Sequence, residues 1–297
     1  MNNVSRRGRI SAQFRQRLEN EWTPLIEFIS KNHELDVQLR DNYISVYYDG
    51  GEIIKITPKS LDIDMQYFEK YANSEKQQFL ERCSQNIAFK KSAKEKLLAV
   101  LIEENDIGGY FKQAKELISE WVERHKRYER KKLHEIACSN RELSPHNNLV
   151  VIDIEFAVDW YKPYNNSQGK GGKRKVPKFD IIAVDQSGQL YAIILQDNLR
   201  TNGDRTKQSL NAYKQDFYLT IGDDTPLNDF AQEMNEVLKM KQELGLLPKS
   251  LIIDTDALPR FAVAFSIGTK PKRYDGITVN IVNSNDKLYL NLQNENN

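Results

Sequence analysis

With 297 residues, 29% of them charged, and a formal net charge of only +1, the chain has room for a hydrophobic core. It carries no global field that would draw it to nucleic acid, so attraction has to come from local patches. It contains no apolar run long enough to span a bilayer, and its opening stretch MNNVSRRGRISAQF lacks the apolar centre of a secretory leader. Cys83 and Cys138 have no Cys or His at metal-ligand spacing and are expected as buried thiols. A cytoplasmic protein with no membrane partner is the expectation.

Arg6, Arg7 and Arg9 are expected to lie in a basic, frayed tail rather than in a binding arm. Thr23-Pro24 reads as a cap with proline at the first helical position, opening a helix through Leu25, Ile26, Phe28 and Ile29. The segments LDVQLR, NYISVYY and EIIKI alternate as strands, with Asp49-Gly50-Gly51 as a hairpin turn. Tyr43, Tyr47 and Tyr48 are expected to pack rather than to stack bases. These elements make residues 1–73 an N-terminal helix and β-meander region, and residues 74–297 the main domain.

Helical periodicity predicts one helix from about Ser74 to Ile102 and a second from about Tyr110 to Ala137. The second has an apolar stripe through Ile118, Val122, Leu133 and Ile136, and Glu129 falls on that stripe, where a lone carboxylate is costly to bury. Arg124, Lys126, Arg127, Arg130, Lys131 and Lys132 surround it as a solvated face or a phosphate-holding one. Asn148 to Trp160 reads as a long strand, with Val151, Asp153 and Glu155 on one face and Ile152 and Ile154 on the other. The loop NNSQGKGGKRKVPK carries Lys173, Arg174 and Lys175 and is expected as a basic flap.

Two strands follow within Lys178 to Asn198, joined at Ser187-Gly188, with Asp180 opening the first and Ile194 and Gln196 sharing a face of the second. After a helix near Lys207 to Tyr218, another runs from Pro226 to Leu244 and ends at Gly245. FAVAFSI then adds a strand, and NIVN and KLYLNL form a last hairpin. Asp254 and Asp256 read as an Asx-capped turn, and His33, His125, His134 and His146 make no metal spacing. No nucleophile elbow and no P-loop is present.

An aspartate opening a strand, a turn, and a strand ending in (Asp/Glu)-x-Lys is the signature of the PD-(D/E)xK nuclease superfamily. The stretch from Asp180 to Gln196 resembles it, with Ile194 where the acid belongs and Gln196 where the lysine belongs. The order of NYISVYYDGGEIIKI, a helix bearing Glu129-Arg130, a strand reading DIE and the helix EMNEVLKMKQELGLL is similar to bacterial members of this group. The resemblance implies an α+β to α/β fold: a restriction-endonuclease-like mixed sheet flanked by helices, with the site at one sheet edge. It also implies Mg²⁺-dependent phosphodiester cleavage as the ancestral chemistry. On it, Asp180 and Glu129 would be ligands, Gln196 would orient water, and Glu155 or Asp153 would replace the missing acid. Lys173, Lys175 or Lys178 would supply the missing charge. Losing one ligand and the cation, at about 3–4 kcal/mol per electrostatic contact, removes several powers of ten in rate.

Three readings follow. The first is a degenerate nuclease-fold protein that binds DNA, RNA or a protein partner, in the setting of bacterial defence or DNA processing. The second is an active Mg²⁺-dependent nuclease with a rearranged site, and the third is a scaffold that touches no nucleic acid.

Overall fold

The computed structural model describes residues 7–62, 67, 107–157, 178–196, 214, 217–218, 226–266, 276–282 and 286–291. Contacts divide the chain into an N-terminal unit, Arg7–Cys138 with Met240–Leu246, and a C-terminal unit, Ser139–Lys239 and Leu247–Asn297 with Met1–Arg6. The boundary expected at 73/74 and the helix expected from Ser74 to Ile102 lie outside the described residues. So do the basic flap and most of the helix near Lys207 to Tyr218.

The chain is tied down earlier than its tail-like composition suggests. The Arg9 carbonyl accepts from the Asn42 N–H, and the Ser11 N–H donates to Asn42 Oδ1, both at 2.9 Å. Ser11 then caps α1, Ala12–Asn20, its hydroxyl accepting from the Phe14 N–H, while Phe14 and Leu18, four apart, supply the buried stripe. Helix α2, Thr23–Lys31, buries Leu25 and Ile29. Thr23 is not its cap: Trp22 takes that position, and the Thr23 hydroxyl donates back to the Glu19 carbonyl at 2.5 Å.

Strands β1 (Asp36–Arg40), β2 (Tyr43–Tyr48), β3 (Gly51–Ile56) and β4 (Leu61–Asp62) form an antiparallel sheet in chain order. Alternation sorts its residues. Val37, Leu39, Ile44 and Val46 make an apolar face, and Asp36, Gln38, Ser45 and Tyr47 a buried polar one. Asp49 and Gly50 both have positive φ, the signature of a type I′ hairpin turn. Glycine is required at position 50 on a second count, since an added Cβ would lie 2.8 Å from the Lys131 nitrogen.

The single helix expected from Tyr110 to Ala137 is two helices, α3 (Ile107–His125) and α4 (Tyr128–Ser139). Lys126 turns to φ 52°, its N–H donates to the Glu123 carbonyl, and the Arg127 N–H reaches back to Val122, the pair of bonds of a Schellman motif. Residues 123–130 are all exposed, so among the described residues no buried side chain of this stretch holds a straight helix through it.

In the C-terminal unit, β5 (Leu149–Ala157), β6 (Lys178–Asp185), β7 (Leu190–Gln196), β8 (Arg260–Ser266), β9 (Ile277–Val282) and β10 (Lys287–Asn291) form one sheet in the order β10-β9-β8-β7-β6-β5. β5, β6 and β7 are an antiparallel meander, β8 and β9 join parallel, and β10 returns antiparallel. Parallel β7 and β8 need a long crossover, which contains α5, Pro226–Glu243. This helix ends, as expected, at Gly245 with φ 70° and a Leu246 N–H to Lys241 carbonyl bond of 2.8 Å. The chain is therefore a mixed α+β protein. No helix among the described residues is long and apolar enough to cross a membrane.

Two asparagines cover the β10 edge. Asn140, with no exposed surface, donates from Nδ2 to the Asp286 carbonyl and accepts the Leu288 N–H at Oδ1, each at 2.8 Å. Its own carbonyl takes the Val151 N–H of β5. Asn148 pairs both ways with Leu290, as a strand residue would. Replacing Asn140 with alanine leaves the buried Leu288 N–H and the part-buried Asp286 carbonyl unpaired and is expected to lower stability by about 1–3 kcal/mol in urea denaturation.

Candidate functional site

The β6–β7 ladder runs from Val184 opposite Leu190 to Ile181 opposite Ile193. One residue further, Asp180 stands across from Ile194, and Gln196 follows Ile194 on the same face, as the sequence alternation implies. Asp180 is buried and its Oδ2 accepts the Leu195 N–H at 2.8 Å. The carboxylate thus does the work of a ladder carbonyl beyond the last paired residues. Ile194 has no exposed surface, so the position where the signature calls for an acid is dry. Gln196 Oε1 is buried with no partner among the described residues.

Strand β5 departs from the expected parity. Val151 pairs with Ala183, whereas Asp153 pairs with Ile182, so Ile152 and Asp153 together oppose one residue in a β-bulge. Val151 is therefore turned away from the face that Asp153 shares with Ile182 and Asp180. The position of Glu155, between the pairs Ile154–Ile181 and Phe156–Phe179, falls opposite Asp180. Glu155 has φ 51°, a conformation costing a non-glycine residue about 1–2 kcal/mol. Asp153 is fully buried, with Oδ1 accepting the N–H of Ile154 at 2.9 Å.

The structure thus gathers Asp153, Glu155, Asp180 and Gln196 on neighbouring strands of one unit. Part of this donor set is already used within the sheet. Oδ2 of Asp180 and Oδ1 of Asp153 each accept a main-chain N–H, and Ile194 offers no donor. Among the described residues no three His, Cys, Asp or Glu side chains come together as a metal-ligand group. Glu129 belongs to the N-terminal unit, where it is exposed in the first turn of α4. Its place on the stripe of Ile118, Val122, Leu133 and Ile136 is lost because the helix breaks at Lys126.

Of the basic residues expected to hold phosphate, Arg127 and Arg130 are exposed and Lys132 is half-buried. The Arg130 guanidinium lies 5.3 Å from the centre of the Tyr47 ring. Lys131 is committed elsewhere: its ammonium donates to Asp49 Oδ2 at 3.1 Å, and Ser119 donates to the same oxygen at 2.8 Å. The hairpin turn is thereby fastened to both α3 and α4. Lys173, Arg174 and Lys175 lie outside the described residues.

A buried polar group appears that the sequence did not suggest. Asp36 Oδ2 meets His134 Nδ1 at 2.5 Å, and Gln38 donates to Asp36 Oδ1 at 2.6 Å. The His134 ring packs 4.5 Å from that of Tyr47. The alternation Asp36, Gln38, Arg40 was the available signal, since it puts every polar residue of β1 on one face. His33, His125 and His146 are exposed, Cys138 is half-buried and not bridged, and Asp254 caps its turn through the N–H groups of Asp256 and Ala257. Tyr43, Tyr47 and Tyr48 each pack against a neighbouring cation, Lys55, Arg130 and Lys115 respectively.

Comparison with protein-family models, with curated proteins and with solved structures found no match.

Two outcomes follow from the contacts. Asp180→Ala leaves the Leu195 N–H buried and unpaired and is expected to destabilise the chain by about 1–3 kcal/mol in thermal or urea denaturation, while Asp180→Asn, which keeps an acceptor, costs distinctly less. The second concerns alkaline pH. Burial, then the charge of Glu52, raises the Tyr47 phenol, and burial, then the charge of Asp49, raises that of Tyr48. Burial opposes the Lys131 ammonium, but the hydrogen bond and charge of Asp49 outweigh it and hold that group above the ordinary lysine range. All three bind protons more tightly when folded, so their stabilisation is complete below the unfolded values of about 10 to 10.5 and is lost as pH rises through the folded ones. Circular dichroism across that range should show an alkaline loss that Lys131→Met and Tyr48→Phe reduce.

Proposed function

We propose that this chain is a PD-(D/E)xK nuclease-fold protein whose hydrolytic edge is retired, and that it acts by binding nucleic acid. Three features support the fold assignment. A three-stranded antiparallel meander is followed by a helix and by a strand parallel to the third. Asp180, Ile194 and Gln196 share a face in the order the signature requires. The β5 bulge aligns Asp153 with that face.

The observation that carries the functional reading is the hydrogen bond from the Leu195 N–H to the Asp180 carboxylate. The acid is used to fasten the end of a strand. Here one oxygen completes the strand pairing, beside a fully buried isoleucine that can neither bind a cation nor activate water. Gln196 can accept or donate a hydrogen bond but brings no charge. Without the acid and the lysine that the signature calls for at positions 194 and 196, a large electrostatic part of phosphodiester cleavage is missing.

What remains on the chain for nucleic acid is local positive charge, with Arg127 and Arg130 exposed on the N-terminal unit. Incubation with single-stranded DNA, duplex DNA and RNA in Mg²⁺ or Mn²⁺ is expected to give no cleavage above buffer, together with retention that weakens as salt rises. Metal-dependent cleavage that Asp180→Asn abolishes without unfolding the protein would overturn the proposal.

A further inference from the structure

The elbow between α3 and α4 brings aromatic and basic side chains together in a way that the helical periodicity did not foretell. Its eight residues from Glu123 to Arg130 are all exposed. Trp121, one turn before the break, stacks on His125 with ring centroids 4.3 Å apart and planes at 24°. Tyr67 meets the Trp121 ring edge-on at 5.2 Å and helps to fix it. Beyond the break, Tyr128 is 38% exposed and its hydroxyl donates to Glu123 Oε2 at 3.1 Å, a brace across the elbow. Residues 120–132 hold six cations against three carboxylates, one of which is Glu123 in that brace, and Lys131 is bonded to Asp49. Arg124, Lys126, Arg127 and Arg130 are exposed around the rings.

We infer that this elbow is a binding surface for single-stranded nucleic acid, with bases stacking on Tyr128 and on the Trp121–His125 pair and phosphates held by Lys126, Arg127 and their neighbours. The inference rests on the nucleic-acid-binding reading above and names its surface and its substrate class. Cations alone would suit a duplex equally, because a duplex offers phosphates. Exposed ring faces gain nothing from it, since its base faces are covered by stacking. Unpaired bases present a π-face each and are held by aromatic platforms with little regard to sequence. The elbow's backbone is set by the Schellman bonds at Lys126 and Arg127, and its rings by Tyr67 and Glu123, so the platform exists before the strand arrives.

The test is fluorescence anisotropy of the full chain with a labelled oligothymidylate and with a blunt duplex of equal length, over a salt series. Tyr128→Ala is expected to weaken single-strand binding about tenfold while Tyr128→Phe, which keeps the ring, retains it. Lys126→Gly with Arg127→Ala is expected to flatten the dependence of log K on log salt by about 1.4. Glycine suits the positive φ at position 126, and thermal melts check each variant. Should Tyr128→Ala disturb the melt, the salt slope of the double variant decides. Wild-type binding that all these variants reproduce overturns the elbow but leaves the nucleic-acid reading intact, and a preference for the duplex overturns the single-strand assignment alone. No binding by the wild type at low salt removes both.

Discussion

A single hydrogen bond, from the Leu195 main chain to the Asp180 carboxylate, closes the end of the β6–β7 pair on which the C-terminal sheet is built. Strand pairing between β6 and β7 stops at Ile181 and Ile193, and the next polar group in line is a side chain rather than a carbonyl. The Leu195 N–H is buried, so the contact satisfies a group that would be costly to leave unpaired and fastens the end of β7. It also takes up one of the two oxygens of that carboxylate. Across from it, the fully buried Ile194 side chain offers no donor atom.

The strand beside this pair carries its own irregularities. The bulge at Ile152 and Asp153 and the left-handed backbone of Glu155 sit within four residues of each other, on an edge strand. Bulges re-aim side chains, and here the result is that Asp153 joins the Asp180 face as a buried group tied to its own main chain. The edge thus collects acids and uses one oxygen of Asp153 and one of Asp180 within the sheet.

In the N-terminal unit the organising group is Asp49, which binds Ser119 and Lys131 and seats a tight turn against the backbone of α4. The buried Asp36–His134 pair and the Tyr47 ring then set α4 on the polar face of the sheet. With α3 and α4 each held separately, the residues between them need no apolar partner and are left to solvent. The exposed elbow, with its cations and rings, follows from that arrangement.

Local pattern was enough to read the strands of both sheets other than β4, the turn at Asp49-Gly50, the end of α5 at Gly245, and the shared face of Asp180, Ile194 and Gln196. Each depends on residues within a few positions of one another, where periodicity and turn chemistry act directly. Neither α1 nor the break at Lys126 was legible. Asn42 anchors the first from thirty-one residues away, and the second arises where tertiary contacts stop rather than where a breaker stands. The parity of β5 and the exposure of Glu129 likewise escaped a reading that assumed uninterrupted strands and helices. Which oxygen of Asp180 is used, and by whom, was beyond any pattern, because a hydrogen bond between strands depends on the register and twist that only the assembled sheet imposes.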